Sequence, residues 1–298
     1  MATARVDPLV RAMPAVFVVI WSTGFVVARF GMPHAPPMKF LVLRYALSVL
    51  AFLVWAWAAR AAWPRDRAQF GHLAVTGIFM HAGYLGGVWA AVKMGMGAGL
   101  AALLVSLQPV LTAIWISMGG GKVAMRQWAG LALGLAGLLL VVWQKLGVGE
   151  VNPMNLLYAV IALLSITAGT LYQKRFVAPC DVRTANLVQL AAAFAATLPF
   201  ALMETEAMRW VLADGSLNGE LAGAMAWSVL GLTLGGSSLL YLLIQRGAAT
   251  SVTSLMYLVP PTTALMAWLL FGEPITVLIV AGMALTAVGV SLVVRQKA

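Results

Sequence analysis

Apolar segments about twenty residues long follow one another along almost the whole chain, joined by short basic links. A helix of that length rises about 30 Å, the thickness of a bilayer's hydrocarbon core. In lipid each span must satisfy its own backbone hydrogen bonds, so such a chain is confined to a bundle of membrane-crossing helices. Composition agrees: 62% of the residues are hydrophobic and 9% charged, whereas a soluble domain carries about 25% charged residues. An ordinary soluble globule is excluded. The 298 residues hold about ten spans with short loops, and leave no room for a sizeable extramembrane domain.

The expected spans are, approximately, Pro14–Phe30, Met38–Ala59, Leu73–Val92, Ala98–Met118, Gln127–Trp143, Met154–Tyr172, Thr184–Met203, Met225–Ile244, Ser251–Phe271 and Ile275–Val294. Basic residues orient them. With the N-terminus in the cytoplasm, Arg29, Lys39, Arg44, Lys93, Lys145 and Arg209 fall outside and the remaining lysines and arginines inside, a bias of roughly two to one. Both termini are therefore expected in the cytoplasm. The net charge of +10 does not point to nucleic acid. The basic residues sit in short clusters between apolar runs, where anionic lipid headgroups account for them. Cys180, the single cysteine, has no internal disulfide partner and reads as a free thiol in a loop. The first apolar run is long and has no clear small-x-small cleavage site, so it reads as the first span.

Prolines interrupt the apolar runs at matching places. Ser106-Leu107-Gln108-Pro109 lies inside the fourth span and Tyr257-Leu258-Val259-Pro260-Pro261 inside the ninth. A proline removes a helix hydrogen bond, and in lipid that defect is tolerated only against protein or a watery cavity. Sliding Pro109 onto Pro260 brings Gly121 onto Gly272. With one residue inserted it brings Gly130 onto Gly282, Gly137 onto Gly289, and Gln144-Lys145 onto Gln296-Lys297. The chain reads as two copies of one five-span unit, residues 1–148 and 149–298. An odd number of spans per copy turns the copies in opposite directions, and a transport site is then expected between them near the midplane. The predicted fold is an all-α membrane protein, ten transmembrane helices arranged as two inverted five-helix repeats around a central cavity.

Two halves with a proline in the fourth span of each, Trp21-Ser22-Thr23-Gly24-Phe25 in span 1, Leu43-Arg44-Tyr45-Ala46 in span 2 and Leu270-Phe271-Gly272-Glu273 after span 9 together resemble the drug/metabolite transporter superfamily. Within it the pattern is similar to the EamA-type branch and its YddG-type exporters. Many members of that family also carry a glutamate after span 4, where this chain has Gly119-Gly120-Gly121-Lys122. The resemblance implies export of amino acids, aromatic and other neutral ones, by alternating access, with membrane lipid as surroundings. Export of other small metabolites or drugs is the alternative it leaves open. No cofactor or metal is expected, and the chain is expected to act as a monomer.

Polar groups inside spans are costly and therefore functional candidates. His81 and Tyr84, three residues apart, share a helical face in span 3. They suit the polar ends of a bound molecule, or His81 bonds a neighbouring carbonyl as helix glue. Trp21 lies too deep for an interfacial anchor and, with Tyr241 and Tyr257, suits an aromatic wall. Ser22, Thr23, Ser106 and Gln108 join the candidate lining, although back-bonding to their own helix is the competing role of the hydroxyls. Arg44 lies about two turns inside span 2. It either snorkels outward or attracts a carboxylate. Pro109, Pro260 and Pro261 are candidate hinges. Gly130, Gly134, Gly282 and Gly289 form small faces for close helix packing.

No Asp or Glu falls deep inside a span. Cation-coupled carriers need such a carboxylate, so an uncoupled facilitator or exchanger is expected. Proton coupling would have to run through His81. An intramembrane enzyme is disfavoured: His34, His72 and His81 are scattered and no phosphate-binding loop is present.

Overall fold

A computed structural model describes residues 8–64, 66–118, 124–147, 149–236, 239 and 258–294. Its elements are α1 (Pro8–Gly31), α2 (Pro37–Ala58), α3 (Arg67–Gly77), a π-helical turn (Ile78–Gly83), α4 (Tyr84–Lys93), α5 (Ala98–Val105), α6 (Gln108–Met118), α7 (Met125–Gly147), α8 (Pro153–Phe176), α9 (Val182–Met203), α10 (Gly219–Ala226), a second π-helical stretch (Trp227–Gly236), α11 (Val259–Phe271) and α12 (Val277–Val294). Among the described residues six continuous helical runs are long and apolar enough to cross a membrane. Three shorter apolar helices, Ala15–Gly31, Val259–Phe271 and Val277–Leu292, join them. Among the described residues the only pairing of extended chain is one bridge, Val211 to Leu217, in the loop after α9.

Local sequence explains where helices begin. Asp66 accepts the Ala68 N–H and starts α3 six residues before the expected boundary. Its oxygen satisfies one of the amides that a helix start leaves unpaired. Asn152 and Asn155 cap each other at the start of α8, with Pro153 in the first turn. The start of α2 is capped from far away. The Glu204 carboxylate, just past α9, accepts the Met38 and Lys39 N–H groups at 3.0 and 2.8 Å. Gly272 closes α11 in the left-handed conformation, φ 66°, which a glycine adopts without a Cβ penalty.

The fourth span breaks at its proline, as expected. The Leu107 N–H turns to the Leu104 carbonyl instead of Leu103. The Ser106 hydroxyl then donates to the Leu103 carbonyl at 2.6 Å. The Pro260 motif also sits in a first turn, at the start of α11, where a missing N–H costs nothing.

Contacts at the loops set the packing. His34 meets Glu220, Lys93 meets Glu206, and Asn152 donates to the Met94 carbonyl. The links following α1, α4, α7 and α9 therefore gather at one end of the bundle. At the other end Thr184 donates to the Ala62 carbonyl and Gln69 to that of Ala178. Large apolar side chains such as Trp57, Leu139 and Val277 point outward, as lipid-facing surface should.

Helices α7 and α12 pack backbone to backbone. A Cβ on Gly137 would collide with the Gly282 carbonyl and Thr286, and one on Gly289 with the backbone of Gly130 and Gly134. The expected glycine faces are thus in direct contact, the close approach small residues permit. Span 3 carries a set that the sequence reading passed over. Gly77 lies against the Gln189 backbone, Gly83 against Ser165 and Gly87 against the Tyr158 carbonyl. These glycines seat the span against α8 and α9.

Candidate functional site

A cavity of about 120 Å³ lies where α1, α2, span 3, α8 and the second π-helical stretch converge. Its lining is Trp21, Gly24, Phe25, Arg44, Met80, His81, Tyr84, Leu85, Val88, Trp89, Ile166, Leu232 and Thr233. Residues of both halves of the chain enclose it. The wall is mostly apolar and aromatic, with a few polar groups on one side.

Both π-helical segments touch this cavity, one through Met80 and His81, the other through Leu232 and Thr233. A π-helical turn holds one more residue than an α-turn and re-aims the side chains around it. The offset that carries Pro109 onto Pro260 carries Ile78–Gly83 onto residues 229–234, within the second stretch, and His81 onto Leu232. Nothing in the residue types forecasts either widening, since a π-turn depends on neighbours that occupy the inserted space.

His81 lies against Gln189 of α9. Its carbonyl accepts the Tyr45 hydroxyl at 2.9 Å. Tyr84 is buried one turn on. Trp21 stands beside Phe17, ring centres 5.3 Å apart. The cavity thus brings together Trp21, His81 and Tyr84 from the expected lining.

The remaining candidates among the described residues lie elsewhere. Ser22 is buried and reaches the Val259 carbonyl at 3.4 Å, at the α1–α11 contact. Thr23 bonds back to the Ile20 carbonyl and accepts the Trp227 indole N–H at 2.8 Å. Trp227 is thereby tied to α1. Gln108 donates to Thr170 at 2.8 Å, joining α6 to α8. Ser106, with Pro260 and Pro261, borders a separate small void of about 10 Å³. Pro109 is the second residue of α6. Tyr241 and Tyr257 lie outside the described residues.

Arg44 does not snorkel. It is 7% exposed and lines the cavity, so the outward-reaching reading of this residue gives way to a buried one. Its Nη2 and Nε donate to the Thr233 hydroxyl at 3.1 and 3.4 Å. Its guanidinium carbon lies 6.0 Å from the Trp89 ring centre, and Phe40 stacks behind that ring at 4.4 Å. Trp89 and Thr233 escaped the sequence reading because neither is unusual where it stands. Only assembly of the bundle puts them beside Arg44.

None of the described carboxylates lines the cavity. Glu150, Glu204, Glu206, Glu220 and Glu273 all bond at helix ends on one side of the bundle. Among the described residues no three His, Cys, Asp or Glu side chains cluster as metal ligands would.

The profile of the EamA-like transporter family matches residues 13–143 and again residues 153–295. The chain belongs to the EamA-like transporter family. Two relatives span nearly its whole length. A Salmonella typhimurium protein named "Probable amino-acid metabolite efflux pump" is 26% identical, over 91% of this chain and 90% of that one. The Escherichia coli K12 protein named "Uncharacterized inner membrane transporter YedA" is 26% identical, over 90% and 85%. A solved crystal structure shares the fold of this EamA-family chain, with a TM-score of 0.62 at 17% identity and 94% of each chain covered.

Proposed function

We propose that this EamA-family transporter exports amino acids, aromatic and other neutral ones, through the cavity between its two halves. The observation that carries the reading is that cavity, walled by Trp21, Phe25 and Tyr84 with His81 among them. Its volume, about 120 Å³, is well below the roughly 300–1,000 Å³ of pockets that take drug-sized ligands, which favours a small metabolite over a drug. The efflux-pump name of the Salmonella relative points the same way.

Movement follows alternating access, the two five-span halves acting as an inverted repeat. Support comes from the family profile matching each half separately and from the corresponding places of the two π-helical segments. Pro109 and Pro260 serve as hinges. The chain works as a monomer in the bacterial inner membrane with both termini cytoplasmic, in line with its lysine and arginine distribution and with the name of YedA.

Transport is uncoupled, since no described carboxylate lines the cavity. His81, which does line it, supports a second reading in which the imidazole carries a proton. Competition in proteoliposomes among amino acids, aromatic cations and nucleobases tests the substrate class. Amino acids should compete and be moved; if none is, the class is wrong. Strong uptake driven by a pH gradient alone, with the membrane potential clamped, would replace the uncoupled reading by the His81 one.

A further inference from the structure

A guanidinium has five N–H donors and stays charged in proteins. Inside a membrane protein it normally faces a carboxylate, because breaking up a buried charge pair leaves an expensive uncompensated ion. Arg44 is buried, yet the described acidic side chains are engaged elsewhere. Glu150 holds Lys145, Glu206 holds Lys93, Glu220 holds His34 and Asp181 holds Arg183. Glu204 and Glu273 cap helices, while Asp66 and Asp214 bond local amides. Two donor groups of Arg44 share one hydroxyl, that of Thr233. Thr233 in turn donates its own proton to the Ser228 carbonyl at 2.8 Å. Its lone pairs are therefore turned to Arg44, and they steady the fork without neutralising it. The rest of the fork has no acceptor among the described residues.

We infer that Arg44 is the carboxylate receptor of the transporter, and that the cavity selects substrates bearing one negative group next to an apolar body. This rests on the export reading above and narrows its substrate class. The guanidinium matches a carboxylate through two parallel hydrogen bonds. A single carboxylate pairs with the guanidinium and leaves no surplus negative charge beside it. A doubly charged phosphate would leave an excess charge in an apolar wall, so a single carboxylate fits better. Trp89, under Arg44, and Phe40, behind Trp89, keep the cation at the cavity side of α2. Thr233 is a positioning residue, acting through Arg44.

The test compares three probes on the purified full-length protein: L-phenylalanine, L-phenylalaninamide and phenethylamine. The last two keep the amine and the ring but lack the carboxylate. In the unmodified protein, phenylalanine should bind and be transported at least tenfold better than either. In Arg44→Gln that preference should vanish, with Arg44→Lys keeping part of it. Thr233→Val should weaken the preference and Thr233→Ser restore it. Ligand-free Arg44→Met should melt higher than the parent, because it removes an uncompensated buried charge, and should lose the thermal shift that phenylalanine gives the parent. Equal handling of all three probes by the parent overturns the receptor role while leaving export through this cavity standing. Failure of the parent to bind or move any of the three overturns both. A lower melting point in Arg44→Met, with the phenylalanine preference retained in Arg44→Gln, makes Arg44 structural and also overturns the proposal.

Discussion

Glu150 and Glu273 accept hydrogen bonds from consecutive backbone amides, Gly97 at 3.0 Å and Ala98 at 3.1 Å. One glutamate follows the fifth span and the other the ninth, and together they cap the start of α5. A helix start is electropositive and has unpaired N–H groups, so carboxylates stabilise it. Glu150 also holds the buried Lys145 ammonium.

The two glutamates should therefore differ when truncated. Glu273→Ala loses a cap, about 1 kcal/mol. Glu150→Ala also strands Lys145, and should cost about 3 kcal/mol or more. Thermal unfolding in detergent separates them. Adding Lys145→Met to Glu150→Ala should restore most of the loss, since the stranded charge is gone.

At the α7–α12 crossing, Gly137→Leu should lower stability by about 1–3 kcal/mol or more through overpacking, because the new side chain meets the Gly282 backbone and Thr286. Gly147→Leu is the control, since nothing lies within 4 Å of a Cβ there. Size-exclusion profiles after heating would show the contrast. Equal melting of both variants would mean that the crossing yields freely.

The Lys93 ammonium, 2.9 Å away, holds the Glu206 carboxylate below its ordinary value of 4.5, first by hydrogen bonding and then by charge. A carboxylate depressed in the folded state contributes stability above its unfolded pKa and loses it as pH falls through the folded value. The tie should therefore be intact at neutral pH and loosen only below about pH 4.5. A spin label at Asp214→Cys, in a Cys180→Ser background, should gain mobility there. In Glu206→Gln it should be mobile at every pH.

Pro109→Ala should reduce turnover more than affinity. The substitution supplies the N–H that the break at Ser106–Leu107 lacks and lets the fourth span straighten. The proline lies outside the cavity lining, so binding should change little. Single-turnover and equilibrium-binding measurements in proteoliposomes read the two separately. An equal loss of binding would make the motif part of the site.

Apolar run length and proline position, both local properties, made the spans and the break at Pro109 legible. The glycine contact between α7 and α12 was legible because small residues recur at matched positions in both halves. Trp21, His81 and Tyr84 stood out as polar or aromatic groups too deep in lipid to be idle, and the cavity brings these three together. Ser22, Thr23 and Gln108 stood out by the same logic, but helix contacts use their hydrogen bonds. A span hydroxyl or amide has two outlets, its own bundle or a cavity, and spacing does not choose between them.

Membrane residence, the rough course of the helices and the place where one of them breaks were readable from residue order, because hydropathy and proline chemistry act over a few neighbouring residues. Which side chains share the cavity emerged only in the packed bundle. Arg44 comes from α2, Trp89 from α4 and Thr233 from the second π-helical stretch. Their meeting depends on helix rotation and on two π-turns, which arise from packing between segments far apart in the chain. Whether a charged residue two turns into a span reaches outward or inward follows from what its neighbours leave room for. Here they leave room only inward.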